Sequence, residues 1–211
     1  MAITLQDIGK DYYDLQGDDP PATLEDRDIR FINRTIEEIT SRHKFGFAKV
    51  TQTISLTSQV ATLTSIFGQI YDVRKLNTSG QQDDTKFGII EEAQKDDYTS
   101  ADPTIYITGS YDTCFNLRTN TTDTELQITF YRRPVPLAVN ADTTFIPFSR
   151  PIAVGAYAKL RAADNPDIDT TNENFAYEQA FRDLVSYDQK SFNRPIRYRG
   201  IQELGGYRTG E

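Results

Sequence analysis

Catalysis needs a general base, a nucleophile or a bound metal, and this sequence supplies few of the parts. It contains one histidine, His43, and one cysteine, Cys114. His43 stands between Arg42 and Lys44, a basic run suited to the C-terminal end of a helix, where positive charge meets the negative pole of the macrodipole. Any Ser-His-Asp or Cys-His arrangement has to use this one imidazole, and neither Cys114 nor any serine sits in a nucleophile-elbow pattern. A single cysteine also excludes an internal disulfide and a multi-cysteine metal site. Cys114 reads as a small apolar filler in a strand. The glycines are scattered, with no G-x-G-x-x-G or Walker-type run to cradle a phosphate.

Carboxylates are more plentiful. They include the adjacent pairs Asp18-Asp19, Asp83-Asp84, Glu91-Glu92 and Asp96-Asp97. Neighbouring side chains on a strand point to opposite faces, and in loops such pairs usually stay solvated. A glycosidase needs two carboxyl groups held about 5–9 Å apart, and this chain has no tryptophan to stack on a sugar. No EF-hand spacing is present. The expectation is a protein that is not an enzyme, with no cofactor and no metal.

The composition points to a protein completed by its neighbours. Of 211 residues, 37% are hydrophobic, low for a monomer of this size, while Tyr and Phe number twelve each. Aromatics with a polar tip suit half-buried positions and subunit interfaces. A net charge of -8 disfavours general binding to nucleic-acid phosphate. Asp7, Lys10, Asp11 and Asp14 interrupt the first fifteen residues, so no signal peptide is expected. No apolar run approaches the ~20 residues needed to span a bilayer. A soluble protein made in a cytoplasm is expected, with no membrane partner.

The elements follow from periodicity. Leu5, Ile8, Tyr12 and Leu15 recur at helical spacing with Thr4 as N-cap, and the run Gly17 to Pro21 ends that helix. Thr23 with Asp26 is read as a weak capping box for a second helix, whose stripe is Ile29, Ile32, Ile36 and Ile39. From Phe45 the period changes to two. Strands are expected at 50–56, on both sides of a turn at Gly109-Ser110, and at Leu126, Ile128 and Phe130, with loops at 77–86 and 119–124. Ser149 and Pro151 open a helix with a narrow stripe, Ile152, Ala156, Leu160 and Ala163; Thr170 and Glu173 form a capping box for a last helix carrying Tyr177, Phe181, Leu184, Val185 and Asp188.

This order predicts an α+β fold, in which N- and C-terminal helices form one bundle and an antiparallel β domain is inserted between them. The expected divisions are 1–44 for the first helices, 45–147 for the β-rich insertion, 148–191 for the last helices and 192–211 for an extended tail. The tail is basic and aromatic on an acidic body: Arg194, Arg197, Arg199 and Arg208 alternate with Tyr198, Ile201, Leu204 and Tyr207. Arg and Tyr are enriched at interface hot spots, so this segment is the first candidate for docking to a partner.

Three stretches resemble the head-to-tail adaptor proteins of tailed phages, a family that includes tail tubular protein A. They are Arg30 to Ile39 (RFINRTIEEI) running through His43 into Phe45-Gly46-Phe47 and strand 50–57; Ile128 to Leu137 (ITFYRRPVPL); and Ile146-Pro147-Phe148 leading into the last two helices. Where the family often has a tryptophan, this chain has Phe45 or Phe47, a phenyl ring that can fill the same pocket. The resemblance implies a structural virion protein at the neck, assembled in the host cytoplasm. Twelve copies would form a ring below the portal protein, continue the DNA channel without sequence-specific DNA binding, and offer a platform to the tail or nozzle protein. Carried onto this chain it implies portal contacts at Arg194, Arg197, Tyr198, Arg199, Ile201, Tyr207 and Arg208. An acidic wall suits a conduit along which DNA slides, and Asp83, Asp84, Glu91 and Glu92 are its candidates. The alternatives are another neck or tail-completion subunit, or a carbohydrate- or protein-binding β module working through loops 77–86 and 119–124.

Overall fold

A computed structural model describes residues 2–64, 66–76, 80, 82–110 and 114–192. Helix α1, Leu5–Gln16, starts at a full capping box. Thr4 Oγ1 accepts the Asp7 N–H at 3.1 Å, and Asp7 Oδ2 accepts the Thr4 N–H at 3.1 Å. Leu5, Ile8 and Tyr12 are its buried stripe. Gly17 closes it at φ 79°, a left-handed conformation that glycine adopts without a Cβ clash.

Helix α2, Asp26–Arg42, buries Ile32, Ile36 and Ile39, with Ile29 packed at the margin. Thr23 is not its cap. Glu25 occupies that position with no side-chain cap bond, because extended backbone carries Leu24 onto Gly9; a Cβ there would lie 2.8 Å from the leucine. Helix α3, Arg150–Asp164, has Pro151 in its first turn as expected, where a missing N–H costs nothing. Ser149 holds the N-cap position as expected, but its side chain makes no cap bond. Its hydroxyl instead donates to the Asp11 carboxylate on α1. Helix α4, Thr171–Ser191, buries Tyr177, Ala180, Phe181, Leu184 and Asp188. The expected Thr170/Glu173 box is absent: Asp169 accepts the Thr171 N–H at 2.9 Å, and Glu173 pairs with Arg161.

The four helices form one bundle with α3 packed against α1, α2 and α4. Gly155 lets them close, since a Cβ at this position would come within 2.6 Å of Thr35 and 2.7 Å of the Tyr177 ring. A short ribbon, β1 (Ile3–Thr4) with β10 (Thr143–Thr144), fastens the N-terminus to the segment before α3.

Between α2 and α3 the chain builds two four-stranded sheets. The first pairs β2 (Lys49–Ser55), β9 (Glu125–Arg132), β4 (Phe67–Leu76) and β5 (Gln82–Lys86) in that order. The second pairs β3 (Val60–Thr64), β8 (Cys114–Thr119), β7 (Thr104–Ser110) and β6 (Gly88–Ile89). Inward residues of both sheets share one core, including Ile54, Val73, Leu126, Ile128 and Phe130 from the first and Leu63, Ile105, Phe115 and Leu117 from the second. This is a sandwich in which alternate residues point inward. Phe67 and Phe130 stack at 4.1 Å inside it.

The fold class is therefore α+β, a helical bundle from both ends of the chain with an inserted β unit that is antiparallel except where β6 pairs parallel with β7. Within the β unit two local expectations fail. The strand β7 runs through Gly109 and Ser110, whose partners are Phe115 and Cys114; Gly109 takes φ 101° within the ladder instead of ending it. The polar stretch 77–86 is not all loop, because β5 lies in it, paired with the end of β4. As an edge strand it pairs on one side only, and polar residues are what such an edge tolerates.

Candidate functional site

The bundle and the sandwich meet at residues 43–48. His43 ends α2, a 3₁₀ turn covers Gly46–Ala48, and β2 begins at Lys49. Asp188 of α4 holds this crossing. Its side chain is fully buried, and Oδ1 accepts the N–H groups of Gly46 at 2.6 Å and Phe47 at 3.3 Å. Oδ2 faces His43 Nε2 at 3.6 Å, and neither atom has a hydrogen-bond partner among the described residues. Phe45 is buried between the His43 ring and Phe47, with centroids 4.6 Å away on each side. Phe192, just past α4, lies over Gly46 so closely that a Cβ there would meet its ring at 2.7 Å.

This geometry assigns the only imidazole to the junction. His43 and Asp188 resemble two members of a catalytic triad, but the third is missing among the described residues. Ser41, which lines the neighbouring cleft, donates its hydroxyl to the Glu38 carbonyl of its own helix. No group of three or more His, Cys, Asp or Glu able to hold a metal occurs among the described residues.

The cleft itself lies between the end of α2 and the root of the first sheet, with a volume of about 740 Å³. Lys44, Phe45, Arg132, Arg133 and Val135 line it, and Glu37 is its one carboxylate among the described residues. Arg132 is the most constrained cation. Its guanidinium lies over Phe145 at 4.9 Å and donates to the Phe47 carbonyl at 3.3 Å, while Nε is buried without a partner. Desolvation alone lowers its pKa, and no carboxylate pairs with it among the described residues. Burying an uncompensated charge is costly.

One residue before His43, Arg42 clamps α2 to α4. It makes a two-pronged pair with Glu178 at 2.7 and 2.8 Å and lies 4.2 Å over the Phe181 ring. Glu178 is held below the usual carboxylate range by this pair, and Glu38 likewise by Lys159 against the opposing effect of burial. Several aromatics remain uncovered. Phe175 is 70% exposed on α4, and Phe148 and Tyr187 form an exposed edge-to-face pair at 4.8 Å.

The acidic candidates fall together. Asp83 and Asp84 lie on β5, and Glu91 and Glu92 lie just beyond β6. These are the edge strands of the two sheets, joined through the buried Phe87, so both pairs share one rim of the sandwich. Asp83 Oδ1 accepts the Thr85 N–H at 3.1 Å. The basic candidates Arg194, Arg197, Tyr198, Arg199, Ile201, Tyr207 and Arg208 lie outside the described residues.

Sequence reasoning missed Asp188 and Arg132 as a site. A signal existed for each: a carboxylate inside the apolar stripe of α4, and a twin arginine followed by two prolines at the end of the cleanest strand.

No described helix is long and apolar enough to cross a membrane. No curated protein matches the sequence closely enough to count as a relative. A protein-family model described as SU10 adaptor protein matches residues 4–199, a span that takes in the bundle, the sandwich and the start of the tail.

Proposed function

The chain belongs to the SU10 adaptor protein family, and from that premise we propose that its copies form a ring between the portal and the tail of a phage particle. As a member of that family it is a structural phage protein and a virion component. The observation that carries the finer reading is the extent of the match, which takes in both structural units and not one module of them. A subunit flanked by two copies of itself also accounts for exposed aromatics such as Phe175, Phe148 and Tyr187, since homo-oligomer interfaces are built from such residues.

In this reading the ring has twelve copies and continues the channel through which DNA leaves the capsid, as in adaptors of the tail tubular protein A type. The segment after α4 docks to the portal through Arg194, Arg197, Tyr198, Arg199, Ile201, Tyr207 and Arg208. Its root is fixed, because Phe192 packs on Gly46 beside the Asp188 clasp. On the wall, Asp83 and Asp84 repel the DNA phosphates and keep the passage from binding them.

The test is negative-stain electron microscopy of the purified protein mixed with its cognate portal protein. A twelvefold ring stacked on the portal is the expected result. A protein that attaches as single copies, or only to an assembled tail, overturns the ring reading in favour of a tail-completion subunit.

A further inference from the structure

We infer that the basic cleft at the bundle–sandwich junction receives the acidic turn Glu91–Tyr98 of an adjacent copy, which makes this pair of surfaces the contact between neighbours in the assembly. The inference rests on the ring reading above and adds to it the surfaces that join one subunit to the next.

The cleft is built for an anionic partner. Arg132 sits half-buried in it with no carboxylate paired to it among the described residues, and Lys44 and Arg133 line the same cleft. A guanidinium held this way is stabilised by a carboxylate brought from outside, and a two-pronged pair is the geometry it prefers. The wall is also apolar where it meets solvent: Val135 is 57% exposed between Pro134 and Pro136.

The turn has the complementary character. Every residue from Glu91 to Ser100 is exposed, yet the segment is regular, a 3₁₀ turn over Glu92–Asp97 fixed by the Gln94 side chain accepting the Glu91 N–H at 3.3 Å. Glu91, Glu92, Asp96 and Asp97 have no ion-pair partner among the described residues. Ile89 at 47% and Tyr98 at 40% exposure flank the carboxylates as apolar anchors. A charged turn with two apolar ends fits a cationic cleft with an apolar lip.

The cleft and the turn are two different patches, so each copy can offer its cleft to one neighbour and its turn to the next. They join copies head to tail, the arrangement that closes into a ring. The contact takes Glu91 and Glu92 away from the channel wall and leaves Asp83 and Asp84 there. It also accounts for a concentrated cationic cleft on a chain of net charge -8.

The experiment uses the full chain and its cognate portal, with rings scored by electron microscopy and native mass spectrometry. A chain carrying Glu91→Lys, Glu92→Lys, Asp96→Lys and Asp97→Lys should keep its circular dichroism spectrum and lose ring formation. Adding Lys44→Glu and Arg132→Glu to that same chain should restore rings. Because Arg132 is partly buried, a second variant leaves it in place: Asp96→Cys with Val135→Cys, oxidised after assembly, should give a ladder of covalently linked copies. Normal rings from the lysine-substituted chain, or rings without the ladder, overturn the inference and leave the ring reading standing. A wild-type chain that forms no oligomer on portals overturns both.

Discussion

Asp188, near the C-terminal end of α4, accepts the backbone N–H of Gly46 at 2.6 Å across 142 residues of chain. One carboxylate thereby ties the last helix of the bundle to the first turn of the sandwich, next to the place where the tail departs. Helical and β units in this protein are coupled through a buried polar contact, and its removal has a defined cost.

Substituting Asp188→Ala leaves the Gly46 and Phe47 N–H groups without their acceptor inside the junction. Losing a buried charge-assisted acceptor costs about 3 kcal/mol. Equilibrium unfolding in urea should show that loss of stability. A midpoint equal to that of the wild type would show that the clasp is dispensable.

Two glycines fail differently when a methyl group is added. At Gly155 the new Cβ meets Thr35 and Tyr177 at 2.6 and 2.7 Å, so Gly155→Ala forces α2, α3 and α4 apart and costs about 1–3 kcal/mol. At Gly17 there is open space but φ is +79°, so Gly17→Ala costs about 1 kcal/mol through backbone strain. Thermal melts of the two variants should rank them in that order. Restoring space with Gly155→Ala plus Thr35→Ser should recover part of the first loss and none of the second.

Stability should fall at both ends of the pH scale, for separate reasons. Tyr12 and Tyr13 donate to the buried Asp28 carboxylate at 2.8 and 2.6 Å. Desolvation, followed by that bond, raises both phenol pKa values. A folded pKa above the unfolded one means stability that is complete below about pH 10 and lost as pH rises beyond it. At the acid end, the carboxylates of Glu178, Asp142 and Asp169 are lowered by hydrogen bonds from Arg42, from the Val139 and Ala138 backbone and from Thr171 respectively. Their contribution is present above about pH 4 and lost as pH falls. Denaturant midpoints measured from pH 3 to pH 11 should describe a plateau with two shoulders, and Tyr12→Phe should flatten the alkaline one.

How far these relationships are legible in the sequence depends on what fixes them. Helices α1 to α4 are, because the stripes Leu5-Ile8-Tyr12 and Ile32-Ile36-Ile39 are local and periodic. Strand β9 is legible for the same reason. Their caps are less so: Ser149 and Thr170 have the right chemistry, but Asp11 and Asn174 offer their hydroxyls other partners. Strands β3 and β4 are not among those the periodicity predicts, and β5 reads as loop, since an edge strand such as Gln82–Lys86 owes its state to a partner elsewhere in the chain. The cleft is least legible of all. Lys44, Arg132 and Val135 are brought together only when α2 and β9 end at the same junction.

Truncation after Phe192 separates the tail from the fold. Phe192 covers Gly46 at the junction, whereas residues 193–211 carry all the basic and aromatic positions assigned to the portal. A chain ending at Phe192 should keep its melting temperature and lose co-sedimentation with portal rings. Ending the chain at Ser191 should in addition lower stability by about 1–2 kcal/mol through the lost ring contact. Retained portal binding by the first truncation would move the docking surface off the tail.

The last prediction concerns the wall of the channel. Asp83 and Asp84 lie on an edge strand of the sandwich, and Asp83 is already committed to Thr85 through its Oδ1. Their proposed task is collective: a ring repeats each charge once per subunit, and the summed field repels phosphate over about 8 Å at physiological salt. Asp83→Asn with Asp84→Asn keeps side-chain size and removes that field. Particles assembled with this variant should eject DNA more slowly in a fluorescence assay, and the difference should shrink as salt rises, because screening removes the same repulsion from the wild type. A slowdown independent of salt would point to a mechanical cause. Ejection at the wild-type rate would place β5 on the outer surface of the ring.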